Sequence, residues 1–400
     1  TATAACVLVW HSMFDSTGDR KIINGLTQQT MEGLMQVGGA TEEEANPRGQ
    51  VQYRFTPAEL VLALDNLIVD HKIRPFLKTR FCQPVRNGNK VDAAIIEDKT
   101  GRRAIKARFF IDASGDGDLL HRAGFSTRQE AQVQPPTMVG FFTHWQEVNE
   151  ASGYQLGSAV FDPKYPEALK PGFLWGSQLV GSYPLYMVAG SRVHGANCAD
   201  ADQLTQALLE GRRQNASIRT IVQREFDDQD RFRLVWFPPT IGVRETRHAS
   251  CQYTLTGDDV LHGRRFEDAI ANSCYAVDIH HADTGGNTFR YLDGREYIVC
   301  PGKPTIESRW CPEGTETATF YQIPFRSLIP REAENVLTAG RTVDADKVAF
   351  SAIRVMQNCN QCGEAAGTAA ALCLQQEISP TKLNPAKLRT TLTDLGATII

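Results

Sequence analysis

Apolar positions recur with a helical period between residues 23 and 37 and stop at Gly38-Gly39, which predicts one helix there. The polar stretch 42–50 then reads as a loop. Thr56-Pro57 supplies an N-cap residue and a proline at the first helical position. The helix it starts is expected to bury Leu60, Leu62, Leu64, Leu67, Ile68 and Val69. Extended runs follow at residues 74–85, 91–97 and 104–111. Asn87-Gly88-Asn89 and Lys99-Thr100-Gly101-Arg102 separate them, so a small β-meander is predicted. Phe109-Phe110-Ile111 is an unbroken apolar run, as expected of a strand covered on both faces.

From about residue 128 to 311 the pattern changes. Strand-like runs at 138–145 and 185–189 alternate with loops, and one long helix is expected at about 200–224. The chain then returns to a strand at 335–338, a long helix at about 358–375 and a short helical tail within 380–395. The organisation predicted is α/β: a nucleotide-binding domain from 1–127 and 312–400, interrupted by a mixed α+β domain at 128–311 that carries substrate contacts.

At 400 residues there is room for two or three domains. A net charge of -4 gives no reason to expect nucleic acid or an anionic membrane as partner. No apolar run reaches the ~18 residues that span a bilayer. Thr1-Ala2-Thr3-Ala4-Ala5 lacks the basic start and apolar core of a secretory signal. The 10 cysteines are scattered, unlike a secreted disulfide framework, and read as reduced thiols of a cytoplasmic protein.

Two stretches carry chemistry. In the first, an extended run ends at Asp112 and continues through Ala113-Ser114-Gly115-Asp116-Gly117-Asp118. Small residues let backbone approach a ligand, and ligands of open α/β sheets bind beyond the carboxyl ends of strands. Read structurally, the same residues form a plain strand-to-helix turn with Asp116 or Asp118 as N-cap. In the second, Leu337-Thr338-Ala339-Gly340-Arg341 precedes a helix holding Gly363 and Gly367. Each helical glycine costs about 1 kcal/mol relative to alanine, so close approach of a strand or ligand is expected to offset it. The alternative is a small-residue helix packed under a sheet.

These residues carry a resemblance. The segment 110–118 with Ala123-Gly124, the pair Gly242-Val243-Arg244-Glu245-Thr246-Arg247 and Tyr253-Thr254-Leu255-Thr256, and Ala339-Gly340-Arg341 with 351–356 and 363–370 resemble, in order, three motifs of the FAD-dependent oxidoreductase family. That family belongs to the glutathione-reductase-like flavoprotein superfamily. The resemblance covers nearly the whole chain and implies a Rossmann-like, glutathione-reductase-type FAD-binding domain with FAD as cofactor. It also implies a Gly-x-Gly-x-x-Gly turn for the pyrophosphate, and no such fingerprint stands here. About forty residues, one βαβ unit, are therefore expected upstream of Thr1. The chain reads as a fragment or processed form lacking the ADP-binding piece.

The resemblance sets the flavin among Thr1, Ala2 and Thr3, the turn Ala113, Ser114, Gly115 and Asp116, and Gly340, Arg341, Arg354 and Gly363. A helix N-terminus facing the flavin pyrimidine ring contributes at most ~2 kcal/mol, or roughly 40 mV. It tunes the ring without supplying the chemistry. Arg244 and Arg247 are candidates for an anionic or oxygen-rich substrate, or else form internal ion pairs with Glu245 or another acid. His280 is the first candidate acid/base and His11 the second; each is otherwise a histidine satisfied by its surroundings. No metal is expected from His280, His281 and Asp283. Cys359 and Cys362 are spaced for a redox pair or for tight packing.

The function expected is transfer of hydride between a small polar organic substrate and flavin N5, with an unidentified electron acceptor. The alternatives are a flavin monooxygenase or hydroxylase, and a non-catalytic flavoprotein-like binding or scaffold protein. The oligomeric state is left open.

Overall fold

Residues 2–43, 51–227 and 229–400 are described by the structure, a computed structural model. Thr1 and most of the expected 42–50 loop lie outside them. The first helix is Leu26–Gln36, and it buries Thr27, Thr30, Met31 and Leu34. That spacing of three and four residues is one face of a helix. The helix predicted at Thr56-Pro57 runs Pro57–Asp70 with Thr56 as N-cap residue. Its apolar face differs from expectation. Only Leu60 is buried, whereas Leu62 and Val69 are 55% and 71% exposed. The apolar residues wrap too much of the helix for one packed side to cover. Leu60, Leu64 and Leu67 instead line a cavity that opens to the surface.

The β-meander forms as strands Arg80–Asn87, Lys90–Asp98 and Gly101–Lys106. The chain then enters Phe110–Asp112, which pairs in parallel with Val336–Thr338 in the register Phe110 to Val336 and Asp112 to Thr338. Val336 and Leu337 are fully buried, but Ile111 is 37% exposed. The expectation that this strand is covered on both faces therefore fails at Ile111. Among the described residues Phe110–Asp112 has a partner strand on one edge only.

The helix Met356–Gln376 follows. Ala365, Ala366 and Ala369 sink it into the main core beside Leu337, Ala339 and Phe350. A short helix, Pro385–Asp394, packs on it through Leu388 and Leu392. Each large apolar side chain buried in this way stabilises the fold by about 1.5–3 kcal/mol.

Two antiparallel sheets build the middle of the chain. One has the strand order Trp175–Gln178, Leu185–Ala189, Gly140–Thr143, Leu234–Trp236. The helix Ala201–Phe226, capped by the Asp200 side chain on the Gln203 N–H, packs Ile218, Ile221 and Val222 against Phe142 of that sheet. The other sheet is a meander of Val277–His280, Asn287–Arg290, Arg295–Val299 and Ile306–Arg309. Its first strand is buried throughout and its last exposed throughout. The fold is thus mixed α/β with small sheets, and no helix among the described residues is long and apolar enough to cross a membrane.

Candidate functional site

A cavity of about 910 Å³ opens between the N-terminal segment, the buried strand Val277–His280 and the first turns of Met356–Gln376. That is the size of a small-molecule or cofactor site, roughly 300–1,000 Å³.

Side chains two apart on a strand share a face. Asp278 and His280 therefore both point into this cavity. His280 Nε2 lies 3.1 Å from Asp278 Oδ2. The same carboxylate accepts from Asn287 Nδ2 at 3.0 Å, Tyr275 Oη at 3.3 Å and Arg354 Nη2 at 3.3 Å. Burial alone would raise the Asp278 pKa, but His280, Arg354 and Arg244 together hold it far below the usual carboxylate range. Burial drives His280 well below the ordinary histidine range, and the Arg244 charge adds to it. The imidazole is thus neutral at pH 7. With Nε2 donating to the carboxylate, Nδ1 keeps its lone pair, and it has no protein partner among the described residues. In that tautomer the unpartnered Nδ1 is the nitrogen available for proton abstraction.

His11 lines the same cavity and lies against Tyr275, with ring centroids 4.3 Å apart and the ring planes tilted by 40°. Burial lowers its pKa to about 4, with Asp278 opposing and Arg354 assisting. Arg244 also lines the cavity. Its Nη1 donates to the Pro135 carbonyl and to Thr137 Oγ1, both at 2.6 Å. Arg247 does not reach the cavity wall. It belongs to the strand Arg247–Ala249, and its guanidinium donates to Asp118, the Asp116 carbonyl and the Ala199 carbonyl. That is the ion-pair alternative for this residue.

Ala2, Thr3, Arg341, Arg354 and Gly363 line the cavity, while Thr1 lies outside the described residues. Ala113, Ser114, Gly115, Asp116 and Gly340 are not on its wall; of these Gly115 and Asp116 lie against the Arg341 side chain. Arg341 Nη2 donates to Asp116 Oδ1 at 3.4 Å, which also accepts from Thr246 Oγ1 at 2.8 Å. Gly115 has φ +80, and a Cβ on it would stand 2.3 Å from Arg341 Nη2, so glycine is required for this contact. The turn is capped differently from expectation. The buried Asp112 carboxylate takes the Leu119 and Leu120 N–H groups at 3.0 and 3.1 Å, and neither Asp116 nor Asp118 is the N-cap residue.

The strand half of the expectation for the two helical glycines fails, because outside the neighbouring turns of their own helix no protein atom lies within 4 Å of a Cβ built on Gly363 or Gly367. Gly363 faces the cavity and no strand presses on either. Cys359 and Cys362 are both free thiols. Burial pushes Cys359 up to about 11 and raises Cys362 further, which leaves both poor nucleophiles.

Sequence reasoning missed Asp278, Tyr275, Asn287 and Arg192. The alternation Asp278-Ile279-His280 was the available signal for the first. Asn287 follows from the strand register, in which it sits opposite His280. Arg192 carries no local signal.

The model of the FAD dependent oxidoreductase family matches residues 1–392. Among solved structures the chain is similar to the flavin-dependent brominase Bmp2, with 10% identity, a TM-score of 0.38 and coverage of 96% of this chain and 73% of that one. It is similar to the anhydrotetracycline hydroxylase OxyS from Streptomyces rimosus, with 12% identity, a TM-score of 0.33 and coverage of 63% and 47%. It is also similar to the myxobacterial chondrochloren halogenase CndH, with 12% identity, a TM-score of 0.34 and coverage of 88% and 58%. The chain thus spans less than two thirds of the hydroxylase and of the chondrochloren halogenase. No curated protein matches it.

Proposed function

The chain belongs to the FAD-dependent oxidoreductase family, and on that premise we propose that it oxidises a small polar organic substrate with His280 as the base. The buried Asp278–His280 pair, opening into the same cavity as Arg341, Arg354 and Gly363, is the observation that carries this reading. A glutathione-reductase-type arrangement is proposed with it: a discontinuous FAD-binding domain, 1–127 and 312–400, interrupted by 128–311. The parallel pairing of Phe110–Asp112 with Val336–Thr338 supports the joining of its two halves.

The residues present fit the flavin portion of FAD. Arg341 Nη1, Arg354 Nε and Gln357 Oε1 are buried without a hydrogen-bond partner among the described residues, and all three side chains line the cavity. Val355, Met356, Gln357, Cys359 and Asn360 bring the first turn of a 21-residue helix to the same wall. Its free N–H groups favour negative charge there. Ala2, Thr3, Arg341, Arg354, Gln357 and Gly363 would hold the ring system. When bound, FAD supplies the hydride acceptor. His280 Nδ1 would take the substrate proton, Asp278 would stabilise the imidazolium so formed, and Arg354 would hold Asp278 in place. The electron acceptor that completes a cycle is not assigned to any residue.

Anaerobic addition of an oxidisable substrate to the FAD-loaded protein tests this. Loss of the visible flavin band should follow, and it should slow in His280→Ala at equal flavin content. A protein that takes up no FAD would overturn both the proposed chemistry and the domain arrangement.

A second reading is a monooxygenase or hydroxylase. Phe173, Trp175 and Phe289 give the cavity an aromatic wall, and a neutral buried histidine could equally deprotonate a phenol. The hydroxylase and halogenase names above belong to other chains and serve only as a reason to measure oxygen. Stoichiometric oxygen uptake with an oxygenated product would favour this reading over dehydrogenation.

A further inference from the structure

Beyond the base, the cavity holds a second polar element. Arg192 is 96% buried, with relative exposure of 4%, and it lines the cavity just past the strand Leu185–Ala189. Its Nη1 donates to Thr137 Oγ1 at 3.0 Å and to the Ser191 carbonyl at 2.8 Å. Arg244 Nη1 donates to the same Thr137 Oγ1 at 2.6 Å. One threonine hydroxyl thus sets two guanidinium groups side by side. Arg192 Nη2 is buried with no partner among the described residues. An unmatched, buried guanidinium nitrogen is expensive, and a second cation beside it makes it more so.

Nearby charge does not cancel these cations within the protein. Asp278 is the carboxylate that both arginines feel, and it is already engaged by Arg354, Asn287, Tyr275 and His280. Burial lowers the Arg192 pKa to about 10, which still leaves it a cation at neutral pH. Among the described residues the hydrogen bonds of the pair go to a hydroxyl and to carbonyls, and neither arginine is ion-paired. The wall beside it is apolar. Phe173 follows Gly172, where a Cβ would meet the Arg192 side chain at 3.3 Å, and Trp175 pairs with Ala189 across the sheet.

We propose that Arg192 and Arg244 form the carboxylate-binding site of the substrate, and that this substrate is an organic carboxylate with an apolar body resting on Phe173 and Trp175. Arg is suited to this because its planar fork matches a carboxylate, and such charge-assisted bonds are roughly twice as strong as neutral ones. The proposal rests on the cavity being the substrate site of the oxidoreductase described above.

The test is binding, read apart from turnover. The FAD-loaded protein is titrated by calorimetry with 3-phenylpropionate, 3-phenylpropanamide, acetate and inorganic phosphate. Expected is a 3-phenylpropionate Kd at least about tenfold below that of the amide and of acetate, because the amide lacks the charge and acetate lacks the apolar body. Arg244→Gln should weaken 3-phenylpropionate by about tenfold and leave the amide unchanged. Arg192→Lys, which keeps the charge and loses the fork, should weaken it too. Equal affinity for acid and amide, tighter binding of phosphate than of the carboxylate, or no effect of Arg244→Gln would each overturn the proposal. The ligand series on the unsubstituted protein decides the matter even if a variant fails to fold. Carboxylate binding without flavin bleaching by any carboxylate substrate would leave this site standing and remove the redox reading.

Discussion

Asp278 and His280 stand two residues apart on one buried strand, and a single hydrogen bond of 3.1 Å joins the carboxylate to the imidazole Nε2. When Nε2 donates in that bond the lone pair stays on Nδ1, a buried atom with no hydrogen-bond partner among the described residues, in a side chain that lines the cavity. Both members are less exposed than 10%. Their charge states are therefore set by burial and by neighbouring charges.

If His280 is the base, His280→Ala should lower kcat by roughly 10²–10⁴ with flavin content unchanged. The pH profile carries a further signature. Burial and Arg244 depress the His280 pKa, so the neutral, basic form persists below the usual histidine range. kcat/KM should then stay flat from about pH 8 down through 6.5 and fall only at more acid values. A limb centred near 6.5 would assign the profile to another group. Asp278→Asn should reduce turnover as well. It should also cost on the order of 3–5 kcal/mol in stability, because it strands the Arg354 charge.

His11 gives a separate prediction about stability. Its folded pKa is about 4 against 6.5 for the free side chain. Between those values the unfolded chain binds a proton that the folded chain does not. Stability is therefore full above about pH 6.5 and falls as the pH drops through the window towards 4, by at most about 1.4 kcal/mol per unit. His121, His194 and His281 are lowered in the same direction, so the whole chain loses stability on acidification. The quantity to read is the difference. His11→Gln should flatten the dependence of Tm on pH between 5 and 7. Parallel curves for the two proteins would mean that His11 titrates normally.

Much of the scaffold was legible from periodicity. The helices Leu26–Gln36 and Ala201–Phe226 follow from apolar spacing and Met356–Gln376 from its run of small residues, whereas the cap that Asp200 gives the second was not read from the sequence. The helix Pro57–Asp70 was legible as an element but not in its burial, because periodicity reports which residues are apolar and not how much partner surface exists. The site was half legible. His280, His11 and Arg244 share the cavity, while Arg247, three residues further on, turns to Asp118 because pairing of Arg247–Ala249 with Thr127–Gln129 aims it away. Arg192 was beyond reach, since only the tertiary fold brings it to Thr137 and Arg244. Asp112 ends its strand as read, but the sequence did not show that its carboxylate also takes the first N–H groups of the next helix.

Gly363 and Gly367 offer a controlled comparison on one helix. Both lie in Met356–Gln376, both are exposed, and outside the neighbouring turns of that helix neither has a protein atom within 4 Å of a Cβ position. Gly363 is on the cavity wall and Gly367 is not. In flavin-free protein, alanine at either position should stabilise the fold by up to about 1 kcal/mol, since it removes the helical cost of glycine without a clash. Larger side chains should separate them. Gly363→Phe projects a ring into the space assigned to the flavin, so the purified variant should carry much less FAD per chain. Gly367→Phe should retain the unsubstituted protein's flavin ratio. The ratio of visible to ultraviolet absorbance, with Tm as a check on folding, reads both. Equal flavin content in the two phenylalanine variants would remove Gly363 from the cofactor wall. The helix would then keep its glycines for a reason unconnected with FAD.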